Sequence, residues 1–325
     1  MNKIKAKIRV GITMGDPSGI GPHITANAVE KLKGLAEFTI IGDRRVFEKA
    51  KTKKQKAKNY RFADLKNVNQ NNFSFGQVKA EYGKASIDYL DKARELIKNK
   101  QIDCIVTAPI SKEAINLAGY KYSGHTEYFS QETGVGDFVM MLLNRRLKIS
   151  LVTRHLPLAC VASELTEEKI YRTVLLTRES LKQLFSLKNP RLVICGVNPH
   201  ASDNGLIGKE ENNILKPALS RLASVIDKAA VIDGPLSADV AIKKAAEGHY
   251  DCVIAMYHDQ ALIALKLTGD KSGVNITLGL PFVRTSPLHG TAFDIAADGF
   301  RGASADSLIA AIKLAIKCAS GQKNA

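Results

Sequence analysis

The stretch Ile8-Arg-Val-Gly-Ile-Thr13, followed by Met14-Gly-Asp-Pro-Ser-Gly-Ile-Gly-Pro22, decides the fold. The apolar, β-branched run predicts a buried strand, and the glycines and prolines after it predict a tight turn into a first helix. The turn lacks the Gly-x-Gly-x-x-Gly spacing of a Rossmann fingerprint and the lysine of a P-loop. A binding loop and a plain tight turn without a ligand are both open interpretations.

The same alternation of strand and helix continues along the chain. Apolar β-branched runs predict further strands at 38–41, 104–107, 138–143, 149–153, 192–197, 253–256 and 274–278. Helical spacing of apolar residues predicts helices at 85–100, 167–185, 209–223, 238–247 and 305–318, the second of them capped by Thr166. Alternation of this kind predicts an α/β fold with a largely parallel sheet.

Composition sets the class of protein. The 325 residues are 45% hydrophobic, which suffices for two domains or one large α/β unit. No apolar run reaches the roughly 18 residues that span a bilayer, so we expect no membrane partner. The basic start of the chain leads into a short apolar stretch that meets Asp16 and Pro17, which does not predict a signal peptide. We therefore expect a cytoplasmic protein.

The charge is strongly basic and uneven. The net charge is +15, from 47 basic and 32 acidic residues, and six lysines lie within residues 49–58. Bulk charge of this kind predicts only weak, nonspecific binding to nucleic acid, and no motif that reads bases accompanies it. We expect no nucleic-acid partner, and we interpret the lysine-rich stretch as a solvated face or as mild steering of an anionic substrate.

The cysteines predict no disulfide framework, because their number is odd and no two form a Cys-x-x-Cys pair. Four of the five lie in apolar runs, where free cysteine behaves as a small buried hydrophobe. The five are Cys104, Cys160, Cys195, Cys252 and Cys318.

Three histidines follow the ends of three predicted strands, namely His155, His200 and His258. Loops at the carboxyl ends of strands are where α/β folds place their chemistry. Three imidazoles on three loops are suited to an open site for a divalent metal ion, with a position left for water or substrate. Asp239 and Asp259 are candidate outer ligands. The alternative is that each histidine caps or bridges its own loop.

Two further groups are suited to an anion. Lys266, Asn275 and Arg284 supply a point charge, an amide and a bidentate cation, as a phosphate or carboxylate pocket requires. His125 and Thr126 follow Ser123-Gly124 and come just before a helix predicted to begin near Glu127. The N-terminus of a helix favours an anion, so these two side chains could donate to an anionic group there. The alternatives are solvated surface charge and a plain helix cap by Thr126.

The segment His289-Gly290-Thr291-Ala-Phe-Asp294 is similar to the loop with which isocitrate and isopropylmalate dehydrogenases hold the adenosine part of NAD. Those enzymes bind the dinucleotide without a Rossmann motif. Such a loop needs close backbone approach at the glycine and a carboxylate for hydroxyl or amino donors. His289, Gly290, Thr291 and Asp294 are therefore candidate cofactor-binding residues.

Taken in order, the motifs resemble one family, the 4-hydroxythreonine-4-phosphate dehydrogenases of pyridoxal phosphate biosynthesis. They run from residue 15 to residue 294 and include Val-Thr-Ala-Pro-Ile-Ser-Lys (106–112), Ser-Gly-His-Thr-Glu (123–127), His-Leu-Pro-Leu (155–158), Asn-Pro-His-Ala (198–201), Gly-Pro-Leu-Ser-Ala-Asp (234–239) and Tyr-His-Asp-Gln (257–260). The departures, which remove no candidate ligand, are Asp16, Asn204, Ala261 and Ser-Pro-Leu-His (286–289).

The resemblance implies an isocitrate/isopropylmalate dehydrogenase-like fold with two α/β/α domains and an active-site cleft between them. One domain would hold both termini and the cofactor loop (1–121 plus 268–325), and the other the metal histidines and the dimer interface (122–267). It implies that His155, His200 and His258 bind one divalent ion (Zn, Mg or Co). Substrate contacts would come from His125, Thr126, Lys266, Asn275 and Arg284. It also implies a homodimer in which His258 acts across the interface.

The implied reaction is NAD- or NADP-dependent oxidation of 4-phosphohydroxy-L-threonine to a β-keto acid, which decarboxylates to 3-amino-2-oxopropyl phosphate. Asp239 is a candidate general base from its position alone, and Lys266 is a candidate catalytic residue as well as a phosphate contact. A 4-phospho-D-erythronate or D-threonate dehydrogenase of the same family is an alternative. A metal-dependent phosphatase or hydrolase without NAD is a more distant one.

Overall fold

The computed structural model describes residues 7–52, 55, 59–122, 124–227, 230–269 and 272–322, and these form two compact units. The first unit runs up to Gly134 and resumes at Leu280, and the second is Val135–Gly279. These bounds lie beyond the predicted ones, because the helix that starts at His125 packs with the first unit: its Tyr128 hydroxyl donates to Asp91 at 2.6 Å. The division of function between the two predicted domains stays a prediction.

The first unit is a parallel sheet with helices between its strands. In chain order its elements are β1 (Arg9–Thr13), α1 (Gly21–Lys31), β2 (Glu37–Gly42), α2 (Arg44–Ala50), β3 (Tyr60–Asp64), α3 (Ala80–Lys98), β4 (Cys104–Thr107), α4 (Lys112–Leu117), α5 (His125–Thr133), β11 (Val283–Pro287), α11 (Phe293–Ala297) and α12 (Asp306–Gln322). The strand order is β3-β2-β1-β4-β11, and each neighbouring pair is parallel.

The second unit has a mixed sheet. Its elements are β5 (Val139–Leu143), β6 (Lys148–Leu151), α6 (Val161–Glu164), α7 (Glu167–Phe185), β7 (Leu192–Cys195), a π-helical turn (Glu211–Leu215), α8 (Lys216–Val225), β8 (Ile232–Leu236), α9 (Ala238–Ala246), β9 (Cys252–Ala255), α10 (His258–Thr268) and β10 (Val274–Leu278), with short 3-10 segments at Leu158–Cys160 and Pro199–Gly205. The strand order is β10-β5-β6-β9-β7-β8.

The predicted α/β class and the largely parallel pairing are confirmed. The exceptions are β10–β5 and β5–β6, which pair antiparallel. The turn between β5 and β6 is short, and the Asn144 side chain accepts from the backbone N–H groups of Arg146 and Leu147 within it. Two strands joined by so short a turn can only pair antiparallel, because a parallel crossover needs a dozen or so residues.

The predicted strands and helices are present with shifted ends, and Thr166 caps α7 as predicted by accepting from the N–H of Lys169. The helix predicted at 209–223 instead begins as the π-helical turn Glu211–Leu215 and continues as α8 to Val225. Cys160 is exposed, and the other four cysteines are buried as predicted, with all five free. Within the described ranges no helix is long and apolar enough to cross a membrane.

The lysine-rich stretch 49–58 is described only in part, because Lys53, Lys54, Lys56 and Lys58 lie outside the described residues. Lys49 lies over the ring of Phe73, and Lys51 lies over that of Phe47 and is 3.0 Å from the Glu48 carboxylate. These two ammonium groups are therefore engaged locally.

Helix α3 begins at Ala80, about one turn before the start predicted at residue 85. Gly83 lies in this turn, and glycine lowers helix propensity. The structure gives it a packing role: a Cβ at Gly83 would lie 2.0 Å from the carbonyl oxygen of Ala114 and 2.5 Å from the backbone nitrogen of Ile115. Helices α3 and α4 can therefore pack this closely only because residue 83 is a glycine.

We predict that Gly83→Ala lowers the free energy of unfolding by about 1–3 kcal/mol, because an added methyl group forces the α4 backbone to move. Thermal denaturation followed by circular dichroism measures this. Gly136→Ala is the matched control, since nothing lies within 4 Å of a Cβ there, and it should leave the melting temperature unchanged or slightly raised. Equal melting temperatures for Gly83→Ala and the wild type would contradict the packing role.

Candidate functional site

A buried arginine lies near the start of β11 in the first sheet, opposite Ile105 of β4. Arg284 is on β11, and its side chain is 1% exposed. Its Nη2 donates to the Thr107 hydroxyl at 2.6 Å and its Nε to the same oxygen at 3.2 Å, while Nη1 lies 3.4 Å from the Thr126 hydroxyl. Burial lowers the pKa of Arg284 to about 9, so the guanidinium stays charged at neutral pH. Arg284 is therefore buried rather than solvated surface charge, and its role as a substrate contact stays a prediction.

His125 and Thr126 form the first turn of α5. The residue before them, Gly124, makes no side-chain cap, and the Thr126 hydroxyl faces Arg284 rather than capping the helix. Burial, and secondarily the charge of Arg284, hold the pKa of His125 well below its usual range, while a hydrogen bond with the Ala108 backbone opposes them. His125 Nε2 is buried without a hydrogen-bond partner in the described part of the chain. A neutral imidazole, a hydroxyl and a buried cation thus meet at a helix N-terminus, which suits an anion.

Asp16, in the turn after β1, is fully buried. Its Oδ1 accepts from the N–H of Ser18 at 2.9 Å, and its own N–H donates to the Pro109 carbonyl at 2.8 Å. Oδ2 is buried without a hydrogen-bond partner among the residues described. Burial raises the pKa of Asp16 to about 7. The carboxyl group is therefore partly protonated at neutral pH, beside the strand end that carries Thr107.

The glycine-rich turn supports the predicted cofactor loop. The N–H of Ile20 donates to the Thr291 carbonyl at 2.9 Å, and a Cβ at Gly19 would lie 2.9 Å from the same oxygen. A Cβ at Gly290 would meet nothing within 4 Å, so the protein itself does not require a glycine there. The open space at Gly290 is where a ligand backbone or ring could approach. The binding-loop interpretation of the turn thus gains a physical basis, since it positions Thr291.

His289 and Asp294 are the remaining predicted cofactor residues. His289 Nε2 is buried and lacks a hydrogen-bond partner in the described ranges, and its Nδ1 lies 3.1 Å from the Gly290 carbonyl. Asp294 is exposed in the first turn of α11. Their contact with a dinucleotide stays a prediction.

The three histidines lie in the second unit. The rings of His155 and His258 are neighbours, with centroids 5.7 Å apart, and His258 Nδ1 lies 2.7 Å from an Asp259 carboxylate oxygen. His200 is exposed on the segment Pro199–Gly205, whose residues 200–204 have φ between 42° and 69°. Among the described residues no three His, Cys, Asp or Glu side chains are grouped to hold a metal ion. The three-histidine site stays a prediction, and in one chain only His155 and His258 are neighbours.

The remaining predicted residues also lie in the second unit. Lys266 is exposed in the last turn of α10, and Asp239 is exposed in the first turn of α9. Asn275 is on β10 opposite Leu142, and its Oδ1 is buried without a partner among the described residues. The roles of Lys266, Asn275 and Asp239 stay predictions.

Sequence reasoning missed Thr107 as a functional residue, although it lies inside the quoted motif Val-Thr-Ala-Pro. A threonine that ends an apolar run is typical of any strand, and only the pairing of β4 with β11 shows that its hydroxyl faces Arg284. The burial of Asp16 was missed for the same reason.

The raised pKa of Asp16 predicts a pH dependence of stability. The pKa rises from 3.8 to about 7 on folding, so this group stabilises the fold fully below pH 3.8 and the stabilisation is lost as the pH rises toward 7. Relative to Asp16→Asn, the wild type should lose about 1.4 kcal/mol of unfolding free energy per pH unit over that interval, and then no more. Urea unfolding at several pH values measures this difference.

The exposed Asp298→Asn variant controls for the loss of one negative charge. Parallel stability curves for the wild type and Asp16→Asn across this pH range would show that Asp16 is ionised in the folded protein.

Proteins of known sequence that resemble this chain carry two names. The chain is 41% identical over 323 residues to a 4-hydroxythreonine-4-phosphate dehydrogenase of Sulfurihydrogenibium sp., covering 95% of this chain and 98% of the relative. It is 38% identical over 329 residues to a D-threonate 4-phosphate dehydrogenase of Salmonella typhimurium, again covering 95% and 98%.

Solved structures agree with the fold. A 4-hydroxythreonine-4-phosphate dehydrogenase of Klebsiella pneumoniae superposes with a TM-score of 0.84 at 33% identity, covering 97% of this chain and 100% of that one. A β-decarboxylating dehydrogenase of Thermococcus kodakarensis superposes with a TM-score of 0.51 at 14% identity, covering 95% and 83%. At that identity the likeness concerns the fold alone, and it confirms the isocitrate/isopropylmalate dehydrogenase-like class predicted from the sequence.

One family model matches most of the chain. The model described as pyridoxal phosphate biosynthetic protein PdxA matches residues 24–315, which include Arg284, His125 and the three histidines of the second unit. Together with relatives named as dehydrogenases along nearly the full chain, this match establishes that the chain belongs to the PdxA family of dehydrogenases.

Proposed function

We propose that this chain is an NAD- or NADP-dependent, divalent-metal-dependent dehydrogenase of 4-phosphohydroxy-L-threonine. It oxidises the secondary hydroxyl to a β-keto acid, which loses CO2 to give 3-amino-2-oxopropyl phosphate for pyridoxal phosphate biosynthesis. The relative with the highest identity quoted above carries the corresponding name.

The observation that carries the proposal is the cluster of Arg284, His125 and Thr126. The guanidinium is held in place by Thr107 and faces the first turn of α5. A phosphate group there would gain a charge-assisted bond from Arg284 and the favourable field of the helix N-terminus. Because the site is buried, both interactions are stronger than they would be in water. The cluster therefore supports a substrate with a phosphate group.

The cofactor part of the proposal rests on the loop from His289 to Asp294. The space at Gly290 and the buried His289 Nε2 fit a bound ligand that approaches the backbone and supplies a hydrogen-bond partner. His289, Gly290, Thr291 and Asp294 would hold the adenosine part of the dinucleotide, and the nicotinamide supplies the hydride acceptor when it is bound.

The metal part of the proposal rests on donor chemistry. Neutral imidazole suits first-row divalent ions, and the Asp259 carboxylate at His258 Nδ1 leaves Nε2 as the ligand atom. His155, His200 and His258 would hold the ion, which favours the alkoxide form of a bound hydroxyl and stabilises enolate charge. Because no three of the candidate ligands are grouped among the described residues of one chain, the proposal includes a homodimer in which His258 acts across the interface.

The surface of the second unit supports this homodimer. A strongly exposed leucine follows each of the three histidines within the next few turns of the chain: Leu158 at 73%, Leu206 at 87% and Leu267 at 81%. Exposed apolar surface near functional loops marks an interaction site, because it gains free energy when a partner covers it. A second copy that covers this surface would bring its own histidine loop to the site.

Under this proposal each group of the chain has one task. Arg284 and Thr126 would hold the phosphate, which fixes the reacting carbon and removes orientational freedom before reaction, and Lys266 stays a candidate catalytic residue and phosphate contact. Asn275 offers its buried Oδ1 as an acceptor for a substrate donor. Asp239 remains the candidate for proton removal, on the grounds of its position at the start of α9.

A second candidate is a D-threonate or D-erythronate 4-phosphate dehydrogenase. The Salmonella typhimurium relative, at 38% identity, carries the D-threonate name, so family membership does not separate the two. The substrates share the phosphate, the hydroxyl and the carboxylate, and differ in an amino group against a hydroxyl.

We predict that the purified protein reduces NAD or NADP with 4-phosphohydroxy-L-threonine and that a chelator stops the reaction. Absorbance of the reduced nicotinamide measures it, beside 4-phospho-D-threonate and 4-phospho-D-erythronate. His200→Ala should abolish turnover while the circular dichroism spectrum and melting temperature stay close to wild type, because His200 is exposed. Turnover only with 4-phospho-D-threonate or 4-phospho-D-erythronate would favour the second candidate function. Full activity in the presence of chelator would refute the proposed metal dependence.

We also predict that Thr107→Val raises the KM for the phosphorylated substrate about tenfold or more and leaves the KM for NAD unchanged. The Thr107 hydroxyl accepts two bonds from Arg284, and bonds to a charged group contribute about 1.5–3 kcal/mol. Steady-state kinetics with each substrate varied in turn measures the two KM values separately.

Thr25→Val is the matched control, because its buried hydroxyl has no hydrogen-bond partner in the described part of the chain. A Thr107→Val enzyme with wild-type KM for the phosphorylated substrate would show that Arg284 does not bind the phosphate through this arrangement.

A further inference from the structure

The two ring nitrogens of His125 have different surroundings. A hydrogen bond with the Ala108 backbone raises the pKa of His125, so the ring is the donor and the Ala108 carbonyl is the acceptor. Nε2 is buried and has no hydrogen-bond partner in the described part of the chain, so it is Nδ1 that makes this bond. The neutral ring therefore holds its proton at Nδ1, and Nε2 presents a lone pair.

The structure disfavours every other protonation state of this ring. Burial, and after it the charge of Arg284, hold the pKa of His125 well below its usual range, so the ring does not gain a second proton near neutral pH. Transfer of the proton from Nδ1 to Nε2 would leave the lone pairs of Nδ1 and of the Ala108 carbonyl facing each other away from water. His125 therefore offers an acceptor, and not a donor, at Nε2.

The surroundings of His125 favour an anion. The Arg284 guanidinium is almost entirely buried, and its Nη1 lies 3.4 Å from the hydroxyl of Thr126, the residue after His125. His125 and Thr126 form the first turn of α5, and a helix N-terminus carries partial positive charge. The cluster thus combines a buried cation, which favours negative charge in a ligand, with a buried acceptor, which favours a proton on that ligand.

Few chemical groups meet both requirements. A carboxylate and a phosphate dianion are negatively charged but have no proton to donate. A hydroxyl has a proton but no charge, and an ammonium group would be repelled by Arg284. The monoanion of a phosphate ester has both, because one of its oxygens keeps a proton below the second pKa of about 6. Phosphate is also the charged group that the proposed substrate carries near this cluster.

We propose that His125 selects the substrate phosphate as its monoanion: Nε2 accepts a hydrogen bond from the P–OH group while Arg284 and Thr126 contact the other oxygens. This inference rests on the proposed function, in which the same cluster holds the phosphate. It gives His125 the role of an acceptor, whereas the sequence suggests a donor. Binding then depends on a proton of the ligand, and substrate that binds from neutral solution takes up about one proton.

Other charged groups near the cluster also respond to pH. Burial lowers the pKa of Arg284, and the charge of Glu127 on α5 opposes this effect. Lys112 of α4 lies close to Gly124, since a Cβ at Gly124 would be 4.0 Å from Lys112 Cε. The pKa of Asp16, in the turn after β1, is raised to about 7. A pH profile with a single ligand therefore does not separate the proton of the ligand from those of the protein.

The test compares two ligands that differ in the pKa of this one group: 4-phosphohydroxy-L-threonine and its phosphonate isostere, in which a CH2 group replaces the ester oxygen and raises the second pKa. Isothermal titration calorimetry measures both dissociation constants below and above these pKa values, with NADH present because it cannot accept a hydride. We expect each affinity to fall roughly tenfold per pH unit above the second pKa of that ligand. The phosphonate profile is then displaced to higher pH, whereas titrations of the protein affect both ligands alike.

His125→Gln should weaken this pH dependence, because a glutamine amide offers a donor as well as an acceptor and so accommodates the dianion. We expect its affinity for the phosphate ester to fall by about twofold or less per pH unit. His249→Gln is the matched control: His249 is exposed in the second unit, and the variant should keep the wild-type profile. If His125→Gln does not fold, 31P NMR of the wild-type complex serves, and the bound ester should show the shift of the monoanion at a pH where the free ester is the dianion.

The outcomes separate this inference from the function on which it rests. Wild-type protein that binds neither ligand at any pH overturns the proposed phosphate cluster itself. Binding with superimposed pH profiles for the two ligands, or a bound ester with the 31P shift of the dianion, overturns the role of His125 alone. A profile of His125→Gln as steep as that of the wild type overturns it as well.

Discussion

Parallel strand pairing is the constraint on which the rest of this structure depends. In a parallel pair the carboxyl ends of both strands lie at one edge, so the residues that follow them are neighbours in space however far apart they are in sequence. Pairing of β4 with β1 brings Asp16 and Thr107 to one edge of the first unit, and pairing of β4 with β11 sets Arg284 opposite Ile105, from where its side chain reaches the Thr107 hydroxyl. Pairing of β9 with β6 and β7 does the same for the histidine loops of the second. Residues from chain segments that are far apart in sequence thus become neighbours through strand pairing.

The polar groups at these edges lie inside a protein interior rather than on its surface, and this sets their chemistry. Arg284 is charged and almost entirely buried, and the hydroxyls of Thr107 and Thr126 from its own unit face its guanidinium. Asp16 is buried with one oxygen unpartnered among the described residues, and its pKa is raised accordingly. The difference follows from the desolvation cost of a charge: a buried ion persists where hydrogen bonds replace water, and a carboxyl group without them retains its proton to higher pH. The first unit therefore holds a buried cation on β11 and, in the turn after β1, a carboxyl group whose pKa is raised to about 7.

The sequence predicts the strands that are apolar throughout and misses those that are not. β3 is an edge strand with a mixed, half-exposed pattern, β8 contains Gly234 and Pro235 at the opposite edge, and β11 carries Arg284 in its buried interior. Glycine and proline in a strand are tolerated at edges, so their presence hides a strand from pattern reasoning. The site follows the same logic: the strand-end histidines and the lone arginine stand out as residue types, whereas Thr107 acts through contacts set by strands distant in sequence. No local pattern contains those contacts.

The geometry also explains why a metal site is harder to predict than an anion site here. The anion cluster is formed within one unit, by Arg284 and the first turn of α5, and its groups are buried and hydrogen-bonded in a single chain. The histidines are exposed or half-exposed, and the loops that carry them are flanked by exposed leucines. Exposed imidazoles on separate loops have no core packing to fix their positions, so the backbone beneath them has to do so. In the second unit Gln260, Thr153 and Glu211 form hydrogen bonds with peptide groups that follow β6, β7 and β9. Under the proposed homodimer, the same braced backbone would present its histidines to a second copy, and the rigidity of each half would limit how far the two sets of ligands have to move to meet one ion.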